Sequence, residues 1–270
     1  MKQLQIQSPA KLNLTLDILE KDKNGYHRVR SIMMPYWDLV DEITFKKAKK
    51  HGVHLAVKGV GVQILRREHK NLVMMAAQAF FSTAHITPAI AIELHKQIPL
   101  ASGLGGGSSN AATTLLGLNK LYDFPLSSKQ LLTLAKTLGT DVPFFLNPQL
   151  SIATHFGEKI TPIKRQIKSP EKNLPTATLH FSKIKKHSTK NQYARLDLSL
   201  CGKQKSSTTK LLKLLKTSPK IWDPSWNSLL HNDFEQLFKK PTSPASKKPT
   251  SQITHLSGSG PARFTIRPTG

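Results

Sequence analysis

The stretch PLASGLGGGSSNAATTLLGLNKLY, Pro99 to Tyr122, places Gly103, Gly105, Gly106 and Gly107 directly ahead of Ser108, Ser109 and Asn110. Glycine permits positive φ and lets a ligand come close to the main chain. Behind the loop, Ala111, Leu115, Leu118 and Tyr122 recur at helical spacing, so a helix is predicted to start at the loop's exit. A helix N-terminus offers unpaired N–H groups and a partial positive charge. Loop and helix end together make an anion site, most often for phosphate. The serines are placed to cap the helix, or to reach a phosphate oxygen or a metal ion. Two better-known phosphate loops do not fit. No lysine follows the glycines as the P-loop requires, and G-x-G-x-x-G started at Gly103 meets Ser108 where its third glycine belongs.

Other residues with chemical potential are scattered. Asp141 lies between a predicted helix end and Val142-Pro143, where a loop can present it as a proton acceptor. Lys11 follows Pro9-Ala10 at the start of a predicted strand. Taken singly, such an Asp is as readily a turn former and such a Lys a solvated side chain. Their spacing does not show that they meet. Tyr26 can stack on a base and His27 can hydrogen-bond a base edge. His27, His51, His54, His85 and His95 share no helical spacing that would pair them as metal ligands.

The segment PLASGLGGGSSNAA resembles the second motif of the GHMP kinases. PAKLNLTLDIL with NGYH after it resembles the first motif, and LSGSGPARF, Leu256 to Phe264, the third. GTDVPFFL is similar to the family segment that carries a catalytic carboxylate. The resemblance implies an α+β fold of two domains, a ribosomal-protein-S5-like N-terminal half and a ferredoxin-like C-terminal half, with the site in the cleft between them. It implies ATP and Mg²⁺ as cofactors, and Lys11 and Asp141 as the catalytic pair. ATP would be held by Pro99, Leu100, Ala101, Ser102, Gly103, Leu104, Gly105, Gly106, Gly107, Ser108 and Ser109. Asn71 and Leu72 would line the adenine pocket, with Lys96 a weaker candidate. Within the family, the match implies phosphorylation of the 2-hydroxyl of a cytidyl-diphosphate sugar alcohol, 4-diphosphocytidyl-2-C-methyl-D-erythritol. Asn13, Tyr26, His27 and Tyr193 would then bind substrate, with cytosine held by the aromatic residues. Homoserine or mevalonate is the alternative substrate, and neither has a base to recognise. Several features depart from the family, among them the KKPTSPASKKPT stretch and the high net charge. The chain ends six residues after Phe264, so the second half is expected to be shortened, and Arg263 stands in the third motif where a smaller residue is usual.

The elements that must position these residues are legible mainly in the first half. LQIQ, LNLTLDIL, DEITFKKA, HGVHLAVKG and AIAIELHKQI read as strands, the last with Ile90, Ile92 and Leu94 on one face. Helices are predicted over Asn71 to Ala84 and over SSKQLLTLAKTLG, which begins with serine and ends at Gly139. Further on, ATLHF and FTIRP read as strands, and TTKLLKLLKT and NSLLHNDFEQLF as helices, with Asn227 a cap. KKPTSPASKKPT reads as a loop. A boundary near residue 150 divides an ATP-binding domain, 1–150, from a substrate-side domain, 151–270.

Composition bounds the remaining classes. The 270 residues carry 40 Lys and Arg against 16 Asp and Glu, a net charge of +24 that invites anionic partners. From Thr161 to Thr250 there are 19 Lys and Arg against 5 Asp and Glu, without the interleaved aromatics of a nucleic-acid platform. A nucleic-acid-binding protein is the rival from another class, but no helix-turn-helix, zinc-finger or RNP pattern supports it. The expected partner is a small-molecule substrate, with no nucleic acid and no membrane. Cys201 is the single cysteine, which excludes an internal disulfide. The N-terminus alternates polar and apolar residues with no leader-like apolar run, so a cytoplasmic protein is expected.

Overall fold

A computed structural model describes residues 3–23, 25–62, 71–167, 174–181, 189–238 and 254–267. Asn24 of the predicted turn and the KKPTSPASKKPT stretch lie outside the described residues.

Two long antiparallel strands carry the fold. β1 (Gln3–Lys21) and β2 (His27–Lys47) pair from Gln3↔Lys46 to Lys21↔His27. The LQIQ and LNLTLDIL segments are thus one strand rather than two, and DEITFKKA is the end of β2. β1 keeps its continuity past Pro9 by shifting register between Pro9 and Ala10, and again between Asn13 and Thr15. Such irregularities re-aim side chains, and these two bracket Lys11 and Asn13. β3 (Gly52–Gly59) pairs in parallel with β4 (Ala89–Lys96), which pairs with the C-terminal end of β2. β5 (Ser151–Thr154) joins β2 at Ser31–Met33, and β6 (Lys159–Pro162) pairs with β5. Residues on both sides of position 150 therefore share one sheet.

Helices α1 (Leu72–Ala84), α2 (Gly106–Leu121) and α3 (Ser128–Leu138) follow the predicted segments, whereas the short α4 (Val142–Phe145) forms where only a loop was expected after Asp141. The Asn71 side chain caps α1 by accepting from Val73 N–H at 2.9 Å. Ser127 and Gln130 form a capping box at the start of α3. These helices pack on one face of the sheet, around Phe45, Phe80, Ile92, Leu115 and Phe144. The other face of β1 and β2 buries Leu12, Leu14 and Ile32 against Leu211 and Leu215 of α6 (Lys205–Thr217), Trp222, Trp226 and Phe264. Cover on both faces explains why Ser8 to Ile18 is a continuous buried run rather than an alternating one.

A second sheet of three strands runs β7 (Thr176–His180), β10 (Arg263–Arg267), β9 (His255–Leu256), beside the short helix α5 (Thr189–Ala194). The helix expected over 227–238 does not form. The segment is a 3₁₀ turn (Pro224–Leu229), then β8 (His231–Asn232), then another 3₁₀ turn (Asp233–Leu237). Tertiary bonds override its helical period: β8 pairs with Thr15 and Leu16 of β1, and the Asn232 side chain donates to the carbonyls of Leu256 and Gly258. Asp233 accepts from the backbone N–H groups of Ile18 and Gly202, each at 2.7 Å. Among the described residues, no helix is long and apolar enough to cross a membrane.

Candidate active site

The glycine segment leaves β4, turns, and enters α2 with Gly105 as N-cap at φ +74°. No side chain caps this end, so Ser108 and Ser109 do not serve as the predicted caps. The first N–H groups of α2 have no acceptor within the helix, and its dipole points the same way. The third motif packs directly on the loop. A Cβ on Gly103 would lie 2.1 Å from the Ser257 carbonyl oxygen, and one on Gly260 2.1 Å from the Ser102 carbonyl carbon. Only glycine allows that approach. Ala262 N–H donates to the Ser102 carbonyl at 3.1 Å, and the Asn232 amide holds the carbonyls of Leu256 and Gly258.

Lys11 reaches this place from β1, with its backbone N–H bonded to the Leu104 carbonyl at 2.9 Å. Its ammonium lies 3.8 Å from the Asp141 carboxylate and donates to the Asn13 side-chain oxygen. Asn13 in turn donates to Ser31 Oγ at 2.8 Å, and Ser31 Oγ to the Thr15 carbonyl. Burial pushes the Lys11 pKa down, with Asp141 pulling against it. Both residues line a cleft of about 810 Å³. Asn71, Leu72, Lys96, residues 99–103 and 105–108, Asn13 and Tyr193 line the same cleft. Leu104 and Ser109 do not: the Leu104 side chain is in the core, and Ser109 Oγ faces Ser8 Oγ at 2.7 Å.

Lys96 lines the cleft from beneath the loop, its Nζ 3.1 Å from where a Cβ on Gly106 would stand. Its ammonium is buried and paired with Asp41, and also donates to Asn110 Oδ1 at 3.1 Å. Burial lowers the Lys96 pKa, and Asp41 opposes the shift. The other Asp41 oxygen accepts from the N–H groups of Gln97 and Ile98 at 2.7 and 2.8 Å, at the loop's entry. Asn110 donates to Asp41 and to Ser8, at the loop's exit. One carboxylate thus ties both ends of the glycine loop to the sheet. Asp41 had no motif to mark it.

His27 does not line the cleft itself but stacks on the cleft-lining Tyr193, with ring centroids 5.4 Å apart and planes at 6°. Nδ1 of His27 is buried with no hydrogen-bond partner among the described residues. Burial, then the Asp141 and Cys201 charges, raise the Tyr193 pKa, so its hydroxyl stays neutral. Tyr26 is 67% exposed and leans on Phe156 at 5.9 Å rather than lining the cleft. Arg263 stays away from the loop: Thr254 accepts twice from its guanidinium, and Glu235 lies 3.3 Å away. Burial pushes the Cys201 thiol up to about 11, which removes it as a nucleophile.

Residues 71–148 match the family model of the GHMP kinases N terminal domain. A 4-diphosphocytidyl-2-C-methyl-D-erythritol kinase of Alkaliphilus oremlandii is 35% identical over 272 residues, covering 98% of this chain and 88% of that protein. The chain belongs to the GHMP kinase family. A kinase of the same name from Geobacter metallireducens is 41% identical over 163 residues, 60% of this chain and 57% of the relative. Among solved structures, a crystal structure of 4-(cytidine 5'-diphospho)-2C-methyl-D-erythritol kinase superposes with TM-score 0.70 at 26% identity, over 97% of this chain and 90% of that one. A mevalonate kinase structure reaches TM-score 0.63 at 16% identity over 97% and 91%, which speaks for the fold alone. The α+β GHMP kinase fold expected from the motifs is the fold observed.

Proposed function

We propose that this chain is an ATP-dependent kinase that phosphorylates the 2-hydroxyl of 4-diphosphocytidyl-2-C-methyl-D-erythritol. The observation that carries it is one cleft lined by the glycine loop, the Lys11–Asp141 pair and Tyr193. The family membership and the names of its relatives support the same substrate.

The nucleotide's phosphates would lie on the glycine loop and the N-terminus of α2, with Asn71 and Leu72 on the adenine side. The cradle fits an anion, since the N-terminus of α2 starts at the cleft-lining Gly105 and Gly106 with no side chain capping its first N–H groups. Mg²⁺ bound mainly through the nucleotide's phosphates would neutralise their charge there. Asp141 takes the proton of the attacking hydroxyl. Lys11 pairs with Asp141, orients the hydroxyl, and stabilises charge developing on the transferred phosphoryl group. Asn13 holds the substrate beside Lys11. His27 and Tyr193 recognise the base, with Tyr26 at the rim. Residues 1–150 are assigned the ATP side and 151–270 the substrate side, in a cytoplasmic enzyme whose partner is this small molecule.

A substrate panel with ATP and Mg²⁺ tests the proposal. Phosphorylation of the cytidyl substrate, with none of homoserine or mevalonate, is the expected result. Turnover of homoserine or mevalonate alone would reverse it. RNA retention on filters at physiological salt with no kinase activity would favour the nucleic-acid alternative.

A further inference from the structure

Beside the Lys11–Asp141 pair, β1 carries one residue more than β2. Asn13 stands opposite Met33 and Thr15 opposite Ile32, so Leu14 is the extra residue of a bulge. Side-chain hydroxyls bond across it. Thr15 Oγ1 accepts from Ile32 N–H at 3.2 Å, and Ser31 Oγ donates to the Thr15 carbonyl at 2.6 Å. Ser31 is buried and lines the cleft that holds Lys11, Asn13 and Asp141.

The direction of the remaining bonds follows from the donors each group has. A carbonyl can only accept, so the single hydroxyl proton of Ser31 is spent on Thr15. Ser31 Oγ is therefore an acceptor toward Asn13, and the amide turns its Nδ2 to it at 2.8 Å. That leaves Oδ1 as the end facing Lys11, whose ammonium donates to it. The opposite orientation would set the amide NH₂ against the ammonium, donor against donor, around a buried lysine. The Asn13 main chain is held separately, by its N–H on Ser257 Oγ at 3.4 Å. The lysine's other donors are then kept for Asp141 and for the reacting oxygens.

We infer that Ser31 is a positioning residue for phosphoryl transfer, whose hydroxyl fixes the Asn13 amide so that Oδ1 anchors the Lys11 ammonium beside Asp141. This rests on the kinase reading above, in which Lys11 and Asp141 do the chemistry. The test is steady-state kinetics and Tm on Ser31→Ala, Ser31→Thr, Asn13→Ala and the Ser31→Ala/Asn13→Ala double variant, with whichever alcohol of the substrate panel the wild type phosphorylates. A reacting group displaced by about 1 Å loses up to about 10²-fold, so kcat should fall by about 10- to 100-fold in Ser31→Ala. KM for ATP should stay within about twofold. Ser31→Thr keeps the hydroxyl and should restore most of the rate. Asn13→Ala should lose at least as much as Ser31→Ala, and adding Ser31→Ala to it should lower kcat by less than about twofold more, because the group it acts through is gone. A purely structural serine would instead give the same fold-loss in both backgrounds, in step with Tm. That result, or wild-type kcat in Ser31→Ala, would overturn the inference and leave the kinase assignment standing. A wild type that phosphorylates no alcohol of the panel would overturn the proposed function. NMR titration of the Lys11 Cε resonance then decides the inference without turnover. An ammonium that has lost its Asn13 acceptor holds its charge less well, so Lys11 should titrate at lower pH in Ser31→Ala than in the wild type. Identical titration curves would overturn the inference.

Discussion

Lys11 and Asp141 sit at different depths, and the difference bears on their roles. The Lys11 side chain is 3% exposed at the cleft floor, whereas Asp141 is 37% exposed at its wall. A carboxylate with access to the cleft can receive a proton and release it to water. A buried ammonium 3.8 Å away is the ion-pair partner of that carboxylate. Asp141→Asn keeps the shape and removes the proton acceptor, so kcat should fall by about 10²- to 10⁴-fold. KM for the cytidyl substrate should change little, since His27 and Tyr193 remain. Lys11→Ala should also lower kcat, and the double variant should be scarcely worse than the worse single one, because the two act as a unit. Single-turnover rates with saturating ATP measure this. Near wild-type turnover in Asp141→Asn would leave positioning and charge stabilisation by Lys11 and the loop as the source of catalysis.

At the scale of elements, the glycine loop depends on strands that no glycine pattern reveals. Asp41 shares the core-facing parity of Ile43 and Phe45 in β2, and Lys96 that of Ile90, Ile92 and Leu94 in β4. Two opposite charges at core parity on paired strands were the available signal, but pairing β2 with β4 is a tertiary fact. Removing one partner of a buried pair leaves the other uncompensated, so Asp41→Asn should destabilise the fold by about 3–5 kcal/mol and raise KM for ATP. Asp41→Asn with Lys96→Gln removes both charges and should recover much of that stability. Urea unfolding of the three proteins checks it, and a single variant as stable as the wild type would refute the clamp. The same contrast explains what was legible elsewhere. The glycine loop, α1 and α3 declare themselves through local chemistry: glycines, an Asn cap, a Ser–Gln capping box. The continuity of β1 past Pro9 and the loss of helix over 227–238 are set by partners far away in sequence.

At the scale of the whole molecule, the C-terminal segment that supports the glycine loop is fastened to β1 by an ion pair. His231 Nε2 meets Asp17 Oδ1 at 2.9 Å and Nδ1 meets the Leu229 carbonyl at 3.1 Å. An imidazole with acceptors at both nitrogens is satisfied only when protonated. Burial opposes that charge, but the bonds to Asp17 and Leu229 prevail and raise the His231 pKa. Burial likewise pushes Asp17 up, and bonds from His231 and Thr208 with the Arg30 charge bring it below its usual range. Asp233 faces the pair with a second negative charge, and His255 is close enough to feel it. The signs then follow. A raised histidine pKa stabilises the fold fully below the ordinary imidazole range, and that stability is lost as pH climbs through the raised value. A lowered carboxylate pKa stabilises the fold until pH falls through the lowered value. The pair therefore contributes most between the two ranges and fades on the alkaline side, above roughly pH 6.5. His231→Gln keeps a donor toward Asp17 and no charge. It should cost about 2 kcal/mol near pH 6, a Tm drop of roughly 4–8 °C for a chain of this size. Near pH 9 the gap should shrink, because the wild type has lost its charge there. Parallel Tm curves for the two proteins across that interval would show that the link holds by hydrogen bonding alone. In that case Asn232, which grips Leu256 and Gly258 from the next position, would carry the connection to the glycine loop at every pH.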